Sequence, residues 1–436
     1  MALAPLIHDS LGNPSTVSVT AFDGTSAGPP DPRLRIDVKN RNAILRLLQR
    51  PGELGLVRAY VSGDLDGDGD IYTLIELAPD GRERNLPFKP SAALVREMLT
   101  EVGTDVLKRV PPPPDEARPR GRVHSKSRDS EAVSYHYDVS NEFYELVLGP
   151  AMTYSCAVFD HENQALADAQ ANKHELICQK LQVTVGTRLL DVGCGWGSML
   201  LHAAQHHGAR GVGITISRQQ YELATKRVAD AGLAGQIEIR LQDYRDTDDG
   251  PFDAISSVGM FEHVGRAKMP VYNRKMFDLL RPGGRFLNHG ICRPAHAQSD
   301  SALGRFKTGA IRTATAVGSS RFSEIKSPFI GRYVFPDGEL HEVGTIAVLM
   351  DEAGFEIRHT ENLREHYALT LRNWVQNLED NWDEAVAQAG EGRARVWRLY
   401  MAASAVGFEH RVTEIHQLLA VKPENDRSHF PLRPTY

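Results

Sequence analysis

The feature that most constrains the fold is the glycine-rich segment 188–197. An apolar run typical of a β-strand ends there in Asp191, three glycines follow at alternate positions, and a helical pattern begins at Ser198. Glycine allows positive φ and lets a ligand approach the main chain, while a helix start leaves N–H groups free. The segment therefore predicts a ligand-binding turn between a strand and a helix, of the kind shared by nicotinamide, flavin and S-adenosylmethionine (SAM) proteins.

Three later segments favour SAM over a dinucleotide. A dinucleotide site would have GxGxxG spacing and an acid near the end of the second strand. The second predicted strand ends instead in the hydroxyls of Thr215 and Ser217, and the third leads into Gln242 and Asp243, where an adenine edge could be read. The fourth is followed by Glu262. Strands that alternate with helices predict an α/β fold with a parallel, doubly wound sheet that binds ligands at the carboxyl ends of its strands.

The chain length predicts more than one domain, because 436 residues exceed what a single compact core usually holds. We expect a small N-terminal α/β domain at 1–110, a proline-rich basic linker at 111–130 and a catalytic domain at 131–436. Charged residues make up 24% and hydrophobic residues 41% of the chain, as in ordinary globular proteins. The net charge of -6 argues against a nucleic-acid partner.

The cysteine content and the hydropathy of the sequence argue against several other classes of protein. The four cysteines have no CxxC spacing and are too few for a disulfide framework, so we predict no metal site and a cytoplasmic location. No signal peptide is evident, and no segment reaches the roughly 18 apolar residues of a membrane-spanning helix. Residues 64–70 resemble the start of an EF-hand calcium loop, but Ile75 stands where a glutamate is required. We interpret 64–70 as a solvated acidic turn.

The predicted linker contains four consecutive prolines followed by basic residues at nearly alternate positions. Proline runs favour a stiff extended chain, and a basic run of this kind cannot bury itself. Two interpretations stay open: a solvated tether between domains, or a basic strip that meets anionic lipid headgroups at a membrane surface. The basic residues are Arg118, Arg120, Arg122, His124, Lys126 and Arg128.

Six motifs in order along the chain resemble those of the cyclopropane fatty acid synthases, including their actinobacterial relatives. The motifs lie at 135–138, 152–157, 191–197, 213–217, 241–246 and 259–265. The resemblance covers about 130–425 and implies a Rossmann-like SAM-dependent methyltransferase. It further implies that the nucleophile is a cis double bond in an acyl chain of a phospholipid, and that a bound bicarbonate acts as the base.

The resemblance also assigns site residues. The residues around bicarbonate would be Cys156, Glu262, His289, Ile291 through its backbone, and Tyr333. The residues that line the cofactor site would be Tyr154, Ser155, Gly193, Gly195, Thr215, Ser217, Gln220, Gln242 and Asp243. The chain departs from the simplest members in a longer insertion before Tyr333, and we expect a mobile loop or short helices at 295–330.

The sequence is compatible with more than one reaction product. Proton loss from the new methyl group would close a cyclopropane, whereas a prior hydride shift would leave a methylene branch for a partner reductase. We expect peripheral association with the inner face of the cell membrane, and self-association through the N-terminal domain is compatible with the sequence. The alternatives are methylation of a soluble small molecule or carrier-bound acyl chain, and a catalytically inactive lipid-binding relative.

Overall fold

The computed structural model describes residues 2–76, 90–117, 125–126, 128–129, 139–295 and 327–436. Contacts divide the chain into two compact units that are discontinuous in sequence. The first unit comprises Met1–Arg118, Lys326–Pro336 and Leu378–His410, and the second comprises Pro119–Ile325, Asp337–Asn377 and Arg411–Tyr436. Two late segments that we expected in the catalytic domain thus group with the N-terminal residues. A helical pattern indicates that one face of the helix is apolar, but it does not indicate in which hydrophobic core that face packs.

The described residues form the following regular elements. The helices are α1 (Leu3–Ser10), α2 (Arg41–Gln49), α3 (Glu53–Val61), α4 (Ile71–Glu76), α5 (Ala92–Val102), α6 (Asn141–Leu148), α7 (Leu166–Leu181), α8 (Ser198–His207), α9 (Arg218–Asp230), α10 (Met269–Leu279), α11 (Val343–Glu352), α12 (Arg364–Asp380), α13 (Trp382–Ala389) and α14 (Glu391–Glu409). The strands are β1 (Val17–Ala21), β2 (Ser26–Ala27), β3 (Leu34–Val38), β4 (Leu65–Gly69), β5 (Arg188–Val192), β6 (Arg210–Thr215), β7 (Ile237–Leu241), β8 (Phe252–Val258), β9 (Leu280–Cys292), β10 (Glu356–Asn362) and β11 (Glu414–Val421).

The second unit is built on a seven-stranded sheet with the order β10-β11-β9-β8-β5-β6-β7. Strands β5 to β9 pair in parallel, and β11 runs antiparallel to both of its neighbours. Adjacent residues of β5 enter different cores: Leu189 packs with Ile177 of α7, and Leu190 packs with Met276 of α10. Helices therefore cover both faces, which confirms the predicted doubly wound α/β fold.

The first unit contains a four-stranded sheet with the order β2-β1-β3-β4. Strands β1 and β3 are parallel, and β4 pairs antiparallel with β3, so that Leu34 lies opposite Gly69. The apolar side chains of β1 and β3 pack against α1, α2 and α5. This unit therefore has a small α/β core.

The interpretation of 64–70 as a solvated acidic turn is wrong, because β4 occupies most of it. Asp64 is buried and accepts a hydrogen bond from Arg46 Nε (2.7 Å). Asp66 accepts one from Arg395 Nη1 (2.9 Å). Burial raises the pKa of Asp66, but hydrogen bonds from Arg395 and Lys39 outweigh it and lower the pKa to about 2. Cations distant in sequence thus neutralise the charges that made this segment resemble a turn.

One helical prediction and one strand prediction need smaller corrections. The pattern at 366–386 predicts one helix, but the chain breaks at Asn381 between α12 and α13. The pattern at 285–292 predicts a strand, but β9 begins earlier, at Leu280. In the described part of the chain, no helix combines the length and apolarity needed to cross a membrane.

Candidate active site

A cavity of about 160 Å³ lies at the carboxyl ends of β5, β6 and β7. The turn after β5 forms one wall, and its glycines Gly193, Gly195 and Gly197 have φ of 75°, 55° and 81°. A Cβ atom on Gly193 would lie 3.0 Å from Met260 Cγ, whereas one on Gly195 would meet nothing within 4 Å. The glycines therefore permit a backbone conformation that side chains disfavour, and they leave open space beside the main chain.

Most of the predicted cofactor residues line this one cavity. They are Tyr154, Ser155, Gly193, Gly195, Thr215, Gln220, Gln242 and Asp243. Ser217 does not line it: its Oγ accepts the Gln220 N–H (3.3 Å) as the N-cap of α9. Thr215 Oγ1 donates to Gln220 Oε1 (2.8 Å), which fixes the side chain of Gln220 at the cavity wall. A direct role of these residues in cofactor binding stays a prediction.

Asp243 is held at the cavity by an ion pair that the sequence did not reveal. Arg245 donates to both carboxylate oxygens of Asp243, at 2.8 Å through Nε and at 2.6 Å through Nη2. Burial raises the pKa of Asp243, but the hydrogen bonds from Arg245 outweigh it, so the pKa is lowered overall. The cavity therefore presents an ionised, oriented carboxylate at the end of β7.

A buried lysine beside the cavity also escaped sequence analysis. Lys173 of α7 is buried, lines the cavity and donates to Ser155 Oγ (2.9 Å). Burial lowers its pKa to about 7, against raising effects of Cys156 and Asp191. Burial likewise raises the pKa of Asp191 to about 6, although Ser256 Oγ donates to it at 2.7 Å. A single lysine within a helical pattern resembles a solvent-facing one, so no local signal marked it.

Glu262 lies in the short 3₁₀ turn Phe261–His263 that follows β8. Its Oε1 accepts the Ile291 N–H at 2.8 Å, which brings two predicted site residues into direct contact. Its Oε2 is buried and has no hydrogen-bond partner among the described residues. Burial raises the pKa of Glu262 to about 7, against the lowering effect of the Ile291 hydrogen bond. A buried carboxylate with a free oxygen is costly unless something binds to it.

His289 lies on β9, and a row of buried side chains fixes its tautomer. Lys180 Nζ can only donate, and it contacts Gln417 Oε1 at 2.6 Å. Gln417 therefore presents its amide N–H to His289 Nδ1, 3.1 Å away, so Nδ1 accepts. Burial and the nearby lysines hold the pKa of His289 well below its usual range. The neutral ring thus carries its proton on Nε2, an atom without a hydrogen-bond partner in the described part of the chain.

Cys156 is fully buried. Its Sγ lies 3.2 Å from the carbonyl oxygen of Ala157 and 3.6 Å from that of Leu363. Burial raises the pKa of the thiol, so it is a neutral S–H group that can donate. Cys156, Glu262, His289 and Ile291 are not among the residues that line the 160 Å³ cavity. Met260 and His263, next to Glu262, do line it.

Comparison with known proteins decides the family. Residues 124–418 match the family model described as mycolic acid cyclopropane synthetase. The chain belongs to the mycolic acid cyclopropane synthetase family. It is also 44% identical over 428 residues to a probable fatty acid methyltransferase of Mycobacterium tuberculosis, an alignment that covers 95% of this chain and 93% of the relative.

Other members of the same family agree with this placement. The chain is 32% identical over 385 residues to the cyclopropane-fatty-acyl-phospholipid synthase of Escherichia coli strain K12, covering 88% of this chain and 87% of that protein. The crystal structure of mycolic acid cyclopropane synthase CmaA1, complexed with SAH and CTAB, superposes with a TM-score of 0.59 at 28% identity. That alignment covers 67% of this chain and 98% of CmaA1. The predicted resemblance is confirmed: the enzyme is a SAM-dependent methyltransferase of a family that modifies unsaturated acyl chains.

One predicted site residue of this family member lies in the first unit. Tyr333 donates through its hydroxyl to Glu116 Oε2 (3.2 Å). Glu116 also accepts two hydrogen bonds of 2.8 Å from Arg58 and one of 2.6 Å from Arg332. Burial, together with Glu116, raises the pKa of Tyr333, so its phenol stays neutral. Its place beside bicarbonate stays a prediction.

Some sequence predictions fall outside the described residues. These are the motif at 135–138, most of the predicted insertion at 295–330, and four of the six basic linker residues (Arg118, Arg120, Arg122 and His124). The other two linker cations are paired. Lys126 Nζ contacts Asp246 at 2.6 Å, and Arg128 Nε contacts Asp337 at 2.5 Å.

Proposed function

We propose that this enzyme methylates a cis double bond in an acyl chain of a phospholipid, giving a cyclopropane or a methylene branch. The observation that carries the proposal is the pair of buried atoms Glu262 Oε2 and His289 Nε2, which have no hydrogen-bond partner among the described residues. A carboxylate acceptor and an imidazole donor of this kind suit a reaction that must stabilise positive charge and remove a proton. The phospholipid is suggested by the name of the Escherichia coli relative.

The cavity residues fit SAM as the methyl donor. SAM supplies a methyl group activated by its sulfonium charge. The glycine turn leaves room beside the main chain for its amino-acid portion, and the oriented Asp243 with Gln242 would recognise its nucleoside portion. Ser155 and Lys173, which are joined by a hydrogen bond, would close the other side. Such fixed positioning can lower a barrier by several kcal/mol, because an alkene is a weak nucleophile.

The unpartnered atoms fit bicarbonate as the bound base. Bicarbonate has one O–H group and further oxygens that accept, so it can donate to Glu262 Oε2 while accepting from His289 Nε2–H and from the Cys156 thiol. The tautomer set by Gln417 is the one this arrangement needs. When bound, bicarbonate would supply a proton acceptor in addition to the Glu262 carboxylate, which the neutral Cys156 thiol and the His289 ring, with its Nδ1 already accepting, do not provide.

The substrate chemistry assigns a second task to Glu262. Addition of a methyl group to the double bond leaves a carbocation on the acyl chain, and a nearby carboxylate stabilises such a charge in a site without water. Loss of a proton from the new methyl group closes the ring. If a hydride shifts first, proton loss gives a methylene branch, which a partner reductase would convert to a methyl branch.

The substrate also implies work at a membrane surface. Phospholipid acyl chains lie within bilayers, so we propose peripheral association with the cytoplasmic face of the cell membrane. Lys126 and Arg128 are already paired with carboxylates. Any electrostatic attraction by the linker therefore depends on Arg118, Arg120 and Arg122.

Mass spectrometry of acyl chains tests the proposal. The enzyme is incubated with SAM and vesicles of an oleoyl phospholipid, and the acyl chains are then released and weighed. We expect a gain of one CH2, and fragmentation separates ring from branch. Glu262→Gln should bind SAM but give no product. Modification of a soluble acyl carrier but not of vesicles would contradict the phospholipid assignment, and absence of SAM binding would indicate an inactive relative.

A further inference from the structure

A group of metal-binding side chains lies between α7 and α8, and the proposed reaction does not use it. Cys178 Sγ and one ring nitrogen each of His202 and His207 lie within 4.8 Å of one another. Cys178 comes from α7 and the two histidines come from α8. All three belong to the same compact unit.

Glu175 adds an oxygen donor to this group. It lies one helical turn before Cys178, so both side chains project from the same face of α7. Its Oε2 accepts from His202 Nε2 at 3.2 Å and from His207 Nε2 at 2.9 Å. Its Oε1 accepts from Gln179 Nε2 at 3.0 Å, which holds the carboxylate in place. Outer hydrogen bonds of this kind orient metal ligands in known sites.

The surroundings of the group resemble a site that an ion can enter from one side. Cys178 is fully buried in an apolar cluster with Met199 and Leu201 of α8, and no hydrogen bond to its thiol occurs within the described residues. The histidines and Glu175 are more accessible, with side-chain exposures of 12% for His202, 21% for His207 and 37% for Glu175. The carboxylate and the histidines therefore form the solvent-facing side of the group, and the thiol forms its buried side.

We propose that Glu175, Cys178, His202 and His207 form a binding site for a divalent transition metal of the zinc class. One thiolate, two imidazoles and one carboxylate are a ligand set that suits tetrahedral Zn²⁺. Zinc bond lengths place tetrahedral donors roughly 3.3–3.6 Å apart. The thiol and the two ring nitrogens lie within 4.8 Å of one another, so they would need to close by at most about 1.5 Å. Side-chain rotation at three ligands can supply that movement.

Such an ion would link two helices that also form the proposed SAM cavity. Lys173 and His174 of α7 line the cavity, as do Ser198 and Met199 of α8. Binding would therefore stabilise the folded catalytic unit and fix the spacing of two cavity walls. The cysteine spacing did not indicate the site, because its four donors come from two helices and only one donor is a cysteine.

Metal binding by the full-length enzyme tests the proposal. Chelator-treated protein is dialysed against Zn²⁺ or Co²⁺, and bound metal is counted by elemental analysis. We expect about one ion per chain, a thiolate-to-cobalt charge-transfer band, and one sulfur at about 2.3 Å from zinc in X-ray absorption. Cys178→Ser should lose the band, and His202→Asn or His207→Asn should weaken binding at least about tenfold.

The exposed neighbour His206 provides the matched control. His206→Asn changes the same helix outside the proposed ligand set and should keep both the stoichiometry and the cobalt band. Measurements on the wild-type enzyme alone can overturn the proposal. They would do so if no ion is bound, or if the bound ion has no sulfur neighbour. An unchanged cobalt spectrum in Cys178→Ser would do the same, and the group would then be only a hydrogen-bonded cluster of Glu175 and two histidines.

Discussion

His289 shows how three buried polar side chains can set the chemistry of one ring nitrogen. The amide of Gln417 accepts from Lys180, so it must donate to Nδ1 of His289. Neither Lys180 nor Gln417 follows a recognisable motif in the sequence. The positions of Glu262 and Asp243, in contrast, could be predicted, because both acids follow the carboxyl ends of parallel strands, where such sheets bind ligands.

Gln417 is a positioning residue, and its replacement should act through His289. Gln417→Glu would present an acceptor to Nδ1, so the ring proton would move to Nδ1 and Nε2 could no longer donate. We expect kcat to fall about 10- to 100-fold and the apparent affinity for added bicarbonate to weaken, with an unchanged Kd for SAM. Glu361→Gln is the matched control: it removes a carboxylate that contacts Lys180 but leaves Gln417 in place. Equal bicarbonate dependence in Gln417→Glu and wild type would refute this role.

The raised pKa of Glu262 predicts a pH-dependent stability. The protonated carboxyl is favoured in the folded state, so its stabilising effect is fully present below the unfolded value of 4.5 and is lost as the pH rises through about 7. The shift corresponds to roughly 3 kcal/mol. Glu262→Gln should therefore gain thermal stability relative to wild type between about pH 5 and pH 8. The exposed Glu222→Gln serves as control, and a pH-independent difference for Glu262→Gln would contradict the buried, raised pKa.

At the scale of elements, apolar segments bounded by glycine or polar residues predicted the strands of the sheet well. The sequence predicts strands at 237–241, 252–258 and 414–421, and β7, β8 and β11 have these bounds. Strand β4 was missed, since one of the two cations that pair with Asp66 is Arg395, 329 residues away. Contacts of that range leave no local pattern.

The glycine turn gives a prediction at this scale. Gly193→Ala would place a methyl group 3.0 Å from Met260 Cγ at a φ of 75°, so we expect weaker SAM binding by calorimetry and a stability loss of about 1–2 kcal/mol. Gly232→Ala has a similar φ of 70° with nothing within 4 Å. It should lose comparable stability and bind SAM normally. Equal SAM affinity in the two variants would show that the turn does not contact the cofactor.

At the scale of the whole molecule, the sequence predicted an N-terminal domain and a catalytic domain. It did not reveal every segment that belongs to each compact unit. Segments Lys326–Pro336 and Leu378–His410 group with the N-terminal residues, and Tyr333 and its partner Glu116 belong to that unit. The residues that line the SAM-type cavity all belong to the other unit. Local periodicity cannot assign a helix to one of two cores, whereas the order of the motifs was enough to assign the family.

Membrane association is a property of the whole chain, and linker charge should control it. Replacing Arg118, Arg120 and Arg122 by Gln should weaken binding to anionic vesicles on the order of a hundredfold, at about 1 kcal/mol per charge. Lys126→Gln is the control, because Asp246 already neutralises that lysine. Co-sedimentation at low and high salt measures the effect. If the affinity for anionic vesicles changes neither with salt nor with these substitutions, the linker is only a tether.

The central claim is that a methyl group is delivered to an alkene and then loses one of its own hydrogens to a base in a buried site. The most direct measurement is the mass of the acyl product formed from an oleoyl phospholipid and SAM with a fully deuterated methyl group. We predict that the product retains two of the three deuterium atoms, whether it is a ring or a methylene branch. Retention of all three, or no gain in acyl mass, would contradict the account.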